Sequence, residues 1–114
     1  MSLRSSQERV RDILDAVDEI RHFISGMNRE QFLDDAKTLK AVVADLTIIG
    51  EAARHIPDPT IQAHPEIPWA LMRAMRNRIV HGYYRVDPVI VWDTCQNDLA
   101  LVVEPLRKLL RDIS

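Results

Sequence analysis

Arg76, Asn77, His81 and Tyr83 fall within eight residues, Arg76-Asn77-Arg78-Ile79-Val80-His81-Gly82-Tyr83. They bring together a permanent cation, a carboxamide, a titratable imidazole and a phenol. These groups suit cleavage of an RNA phosphodiester. That reaction needs a base for the 2′-hydroxyl, an acid for the leaving oxygen and positive charge at the phosphorane. Histidine is the natural acid or base because its ordinary pKa lies near neutrality. Arginine supplies a fixed, forked cation that matches phosphate geometry, and stabilisation of this kind is often the largest catalytic contribution. The chemistry calls for no metal. His22, His55 and His64 have no His or Cys partner at ligand spacing, so no metal site and no cofactor is expected.

The surroundings favour a site. From Ile67 to Val86 the chain has Arg73, Arg76, Arg78, Arg85 and His81, and no acidic residue, although the whole protein carries a net charge of −2. The positive charge is local, which suits a phosphate-binding patch better than a general nucleic-acid coat. A purely structural reading also fits these residues. Pro68 can start a helix and Gly82 can follow its end. The arginines and His81 would then complement the helix dipole in the last turns.

The elements that must position these residues are helical throughout. Val10, Ile13, Leu14, Val17, Ile20 and Ile24 recur at three- and four-residue steps, predicting a helix over about 5–25 that Gly26 ends. Asn28 is a candidate N-cap for a second helix running to about Ile56, where Pro57-Asp58-Pro59 stops it. Residues 57–67 form a connector with one short turn at Thr60–Ala63. A third helix runs from Trp69 to about His81, followed by a loop over 82–86. Asp87-Pro88 then caps and opens a last helix, which Pro105 should kink or split. No strand pattern is visible. Long amphipathic helices with short connections imply an all-α, up-and-down bundle of four to five helices.

The order Arg-Asn-x3-His-x-Tyr, ahead of a Val-Asp-Pro helix start, resembles the signature of the HEPN superfamily of metal-independent ribonucleases. More narrowly it resembles the HepT-like toxins. Three further stretches resemble that family in the same order: Phe32-Leu33-Asp34-Asp35-Ala36-Lys37-Thr38, Ile48-Ile49-Gly50-Glu51-Ala52-Ala53 and His64-Pro65-Glu66-Ile67-Pro68-Trp69. The resemblance covers about Val10 to Leu110. It implies a HEPN-like bundle acting as an RNA endonuclease, the toxin of a type VII-like toxin–antitoxin pair. His81 would be the general acid/base, Arg76 would hold the phosphate and Asn77 would orient His81 or donate to the substrate. Arg73 and Arg78 would guide the RNA backbone. The cleavage would proceed by 2′-hydroxyl attack and leave a 2′,3′-cyclic phosphate.

The resemblance also implies partners. Residues five apart on a helix point roughly 140° apart, so Arg76 and His81 of one chain would not easily meet at one phosphorus. Two copies across a dyad would build a shared site, which is the homodimer that the family arrangement implies. Tyr83 holds the position that a minimal nucleotidyltransferase antitoxin modifies with AMP. The added bulk and negative charge would block the cleft and neutralise the patch. Tyr83 is also placed to stack on a base.

Other residues have two readings each. Glu51, well inside the second helix, is placed to pair with Arg76 or orient His81; the alternative is an exposed helix glutamate, or a pair with Arg54 or His55. Gly50 costs roughly 1 kcal/mol against Ala in a helix, and close helix approach is one reason to tolerate it. Asp34-Asp35 is expected to be a first-turn acidic pair favoured by the dipole, not a catalytic dyad. Asp15, Asp18 and Glu19 are expected to form a solvated face that bonds Arg11 and Arg21 at helical spacing.

The 114 residues, 46% apolar and 28% charged, suit one helical domain over 1–114. No apolar run approaches the roughly 20 residues that span a bilayer, and the N-terminus has no apolar signal core. The single cysteine, Cys95, excludes an internal disulfide and is expected to be a small core residue; a cytoplasmic location follows. The rival to a nuclease is a non-catalytic helical subunit that gives a nucleotidyltransferase its substrate or scaffold.

Overall fold

The computed structural model describes the backbone of residues 5–81 and 85–113, and the side chains of these except at positions 76, 78–81 and 85. The first helix, α1 (Ser6–Phe23), is opened by Ser5, whose hydroxyl accepts the Glu8 N–H at 3.2 Å. It buries Val10, Ile13, Ala16, Val17 and Ile20, the stripe expected from the sequence. Gly26 follows its end with a φ of +78°, a left-handed conformation that glycine adopts at little cost.

The expected second helix is two helices. Asn28 caps only α2 (Arg29–Leu33), through a reciprocal capping box with Gln31. Asp34 closes α2, and Asp35 opens α3 (Ala36–Arg54). The Asp35 carboxylate accepts the Thr38 N–H at 3.0 Å and the Thr38 hydroxyl at 2.8 Å. These bonds hold its pKa below the ordinary carboxylate range. Short acidic side chains that bond the nearby backbone compete with helix continuation. The Asp34-Asp35 pair is therefore a helix junction, not the first turn of one long helix.

The short helix α4 (Asp58–Ala63) occupies the connector, and α5 (Trp69–Ile79) carries the basic stretch. α5 stops before the expected limit at His81. Ile79 and Val80 are adjacent β-branched residues, which fit extended backbone better than a helix. Val80–His81 forms a strand, β1, antiparallel to β2 (Arg85–Val86), with Val80 opposite Val86 and His81 opposite Arg85. Among the described residues, the predicted absence of strands fails only over this ribbon of two-residue strands.

Asp87 caps α6 (Pro88–Asp93) as expected, its carboxylate accepting the Val89 N–H at 2.9 Å. A π-helical turn, Thr94–Asp98, joins α6 to α7 (Leu99–Ile113). The irregularity is therefore at Thr94, whereas the helix continues through Pro105. The buried Thr94 hydroxyl donates back to the Ile90 carbonyl at 2.8 Å, a bond that often bends helices.

The core of this all-α bundle lies where α1 packs on α3 and α7, and α3 packs on α5. Leu46 and Ile49 of α3, Met72 and Met75 of α5, and Leu99, Leu106 and Leu109 of α7 are fully buried. The Phe32 ring meets Trp92 at 5.2 Å between centroids, which fixes α2 against α6. Cys95 is buried, and burial pushes its thiol up to about 12, so it packs as a small apolar group. Among the described residues no helix is long and apolar enough to cross a membrane.

Candidate active site

Packing decides which face of α5 looks outward. Trp69, Met72 and Met75 turn into the core, and the Trp69 indole N–H donates to the His64 carbonyl at 3.1 Å, anchoring the start of the helix. Arg73 and Asn77, four residues apart, share another face. Together with Gly50, Glu51 and Arg54 of α3 they line an open cleft of about 340 Å³. The fold thus brings together three expected residues, Glu51, Arg73 and Asn77.

Arg73 is partly buried and has a second duty. Its Nε donates to the Ala53 carbonyl at 3.4 Å. That carbonyl belongs to the last turn of α3, where a cation complements the negative end of the dipole. The terminal nitrogens of Arg73 make no hydrogen bond among the described residues. One wall of the cleft is therefore fixed by the same guanidinium that offers donors to it.

Glu51 makes the Arg54 contact of its alternative reading, while Arg76 and His81, the partners of its site reading, have side chains outside the described residues. The Glu51 carboxylate lies 3.4 Å from the Arg54 guanidinium, both groups being about half exposed. Such an exposed pair contributes little stability and opens readily. The Glu51 carbonyl also takes the His55 Nδ1 hydrogen at 2.8 Å, which makes His55 an end-cap for α3. The sequence offers Arg54 only as a partner of Glu51. Its place in the cleft was detectable, because Gly50 and Arg54 are four residues apart and share a helix face.

The backbone carries position 76 one turn beyond Arg73 in α5, and position 78 also lies in α5. The side chains of Arg76, Arg78 and His81, and all of Tyr83, lie outside the described residues. The 140° divergence assumed that His81 continued the helix of Arg76. His81 instead lies in β1, opposite Arg85, so helical angles do not set its direction. The cleft itself holds Arg54 and Arg73 against one carboxylate, Glu51, an excess of positive charge suited to an anion.

The family described as "Ribonuclease HepT-like" matches residues 13–113. A protein of Thermococcus cleftensis named "Probable ribonuclease HepT" is 39% identical over 106 residues, covering 93% of this chain and 96% of its own. A protein of Methanocaldococcus jannaschii, named as a candidate RNase, is 33% identical over 102 residues, covering 90% of this chain and 84% of its own. Another candidate RNase, from Caldanaerobacter subterraneus subsp. tengcongensis, is 28% identical over 88 residues, covering 77% and 79%. No solved structure matches the chain.

Proposed function

This chain belongs to the HepT-like ribonuclease family, and we propose that it is a metal-independent RNA endonuclease and the toxin of a toxin–antitoxin pair. The observation that carries the reading is the family match over 13–113, which encloses the whole Arg76–Tyr83 string. The cleft between α3 and α5, with two arginines and Asn77 on its walls, supports it.

In this mechanism the 2′-oxygen of the RNA attacks the adjacent phosphorus and the bond to the 5′-oxygen breaks. One His81 takes the 2′-hydroxyl proton, and the His81 of the partner subunit returns one to the leaving oxygen. The products are a 2′,3′-cyclic phosphate and a free 5′-hydroxyl. Arg76 neutralises the phosphorane and Asn77 orients the imidazole or donates to a phosphate oxygen. Arg73 and Arg78 hold neighbouring phosphates. Glu51 supports the site from α3, where it also pairs with Arg54. The working unit in this reading is a homodimer whose dyad brings the two 76–83 segments together. Its antitoxin is a minimal nucleotidyltransferase that transfers AMP to Tyr83.

The test is to incubate the purified chain with single-stranded RNA in excess EDTA and to analyse the fragment ends. Fragments bearing 2′,3′-cyclic phosphate are expected. Intact RNA at all protein concentrations would favour the non-catalytic subunit instead.

A further inference from the structure

On the α1–α3 side of the bundle, a second hollow of about 360 Å³ is lined by Asp12, Asp15, Ala16 and Glu19 of α1 and by Asp45 and Ile48 of α3. Among the described residues no Lys, Arg or His lines it. Asp15 and Glu19 form no ion pair among the described residues, so the expected bonding to Arg11 and Arg21 is not made. Asp45 is 3% exposed, and its Oδ2 has no hydrogen-bond partner. An unsatisfied carboxylate oxygen at that depth is costly. Ile48 borders the same hollow and is 46% exposed, whereas Ile49 beside it is fully buried.

We propose that this hollow is a docking site for an arginine side chain presented by another protein. The combination of groups selects that chemistry. A guanidinium is planar, weakly hydrated and forked, and can bridge carboxylates that an ammonium would contact singly. Its three-carbon stem can lie over the Ile48 methyls while the head meets Asp15 and Glu19 above the Asp45 floor. The carboxylates do not converge as a metal-binding group among the described residues. RNA phosphates are repelled here. A symmetric pairing of two copies over this patch would set the same carboxylates against each other. The occupant is therefore a different, basic chain.

In the empty hollow Asp45 avoids a buried charge by keeping its proton. Burial, then the neighbouring Glu19 carboxyl, push the Asp45 carboxyl up to about 7, so Asp45 holds a proton well above the ordinary carboxylate range. An incoming cation replaces that proton. Binding should accordingly release a proton and strengthen as pH rises through about 7.

The probe is N-acetyl-arginine amide, titrated into the ¹⁵N-labelled full chain, with N-acetyl-citrulline amide as its uncharged counterpart. At about pH 8 the arginine probe should shift Ala16, Glu19, Asp45 and Ile48 saturably, and the citrulline probe should not. On the wild type, affinity should fall about tenfold at about pH 5, the loss of one charge-assisted contact. The isosteric double variant Glu19→Gln with Asp45→Asn removes two carboxylates and should lose at least that much at about pH 8. Equal shifts with both probes, shifts confined to other residues, or an arginine affinity unchanged between the two pH values would overturn the proposal. The wild-type comparisons decide it even if the double variant does not fold.

Discussion

Arg73 Nε and the Ala53 carbonyl, 3.4 Å apart, join the helix that carries the basic stretch to the end of the helix that carries Glu51 and Arg54. Arg73 is thus a positioning group as well as a candidate phosphate ligand. Arg73→Gln should lower stability by about 1 kcal/mol, from one lost hydrogen bond and one lost dipole contact. It should weaken RNA binding as well. Denaturant midpoints and RNA titrations on the same preparation check both effects. Full stability with weakened binding would leave Arg73 only the ligand role.

Arg54 should behave differently, because its partner Glu51 is exposed and exchangeable. Arg54→Ala should leave the midpoint within about 0.5 kcal/mol. It should reduce RNA affinity and lower the slope of log affinity against log salt by about 0.7, one phosphate contact on a single strand. An unchanged slope would place Arg54 outside the RNA path.

Asp45 makes stability depend on pH in a direction opposite to most native carboxylates. Its folded pKa is raised from 3.8 to about 7, so the native chain holds the proton that the unfolded chain has lost between those values. The contribution is complete below about 4 and is lost as pH rises through about 7. Asp45→Asn should flatten this fall and raise stability at about pH 8 by about 1–3 kcal/mol, the cost of the buried unsatisfied oxygen. Thermal melts across that range are the measurement, and a variant whose melts track the wild type at every pH would refute the assignment.

Much of this architecture was legible in the sequence, and the exceptions share a cause. The α1 stripe, the Asn28 cap and the Asp87-Pro88 start are local signals, and each stands in the structure where it was expected. The break at Asp35 was hidden because one carboxylate captures both Thr38 groups, a choice that periodicity does not encode. The early end of α5 was hidden by a motif that reads equally well on a helix or a ribbon. The π turn at Thr94 was masked by the more conspicuous Pro105. Asp45 was invisible for a different reason: an aspartate inside a helix looks solvated until α1 covers it. In the site, the Glu51–Arg54 pair was foreseeable at three-residue spacing, whereas the convergence of Arg73 and Asn77 on that pair depends on how α5 packs against α3.

Tyr83 is the proposed acceptor of AMP, and its hydroxyl is the only atom the modification needs. Tyr83→Phe should keep most of the nuclease activity yet gain no mass when incubated with the partner nucleotidyltransferase, ATP and Mg²⁺. Intact-mass spectrometry of both forms is the check. Added AMP mass on the phenylalanine form would move the acceptor elsewhere.

The central claim is that His81 moves the protons of RNA cleavage, and single-turnover cleavage by His81→Ala tests it most directly. The substitution removes only the imidazole and leaves the backbone pairing with Arg85 available, so the fold should survive, as its melting temperature will show. The rate should fall by about 10²–10⁴, the contribution of a general acid/base. Cleavage at the wild-type rate by a fully folded His81→Ala protein would contradict the account.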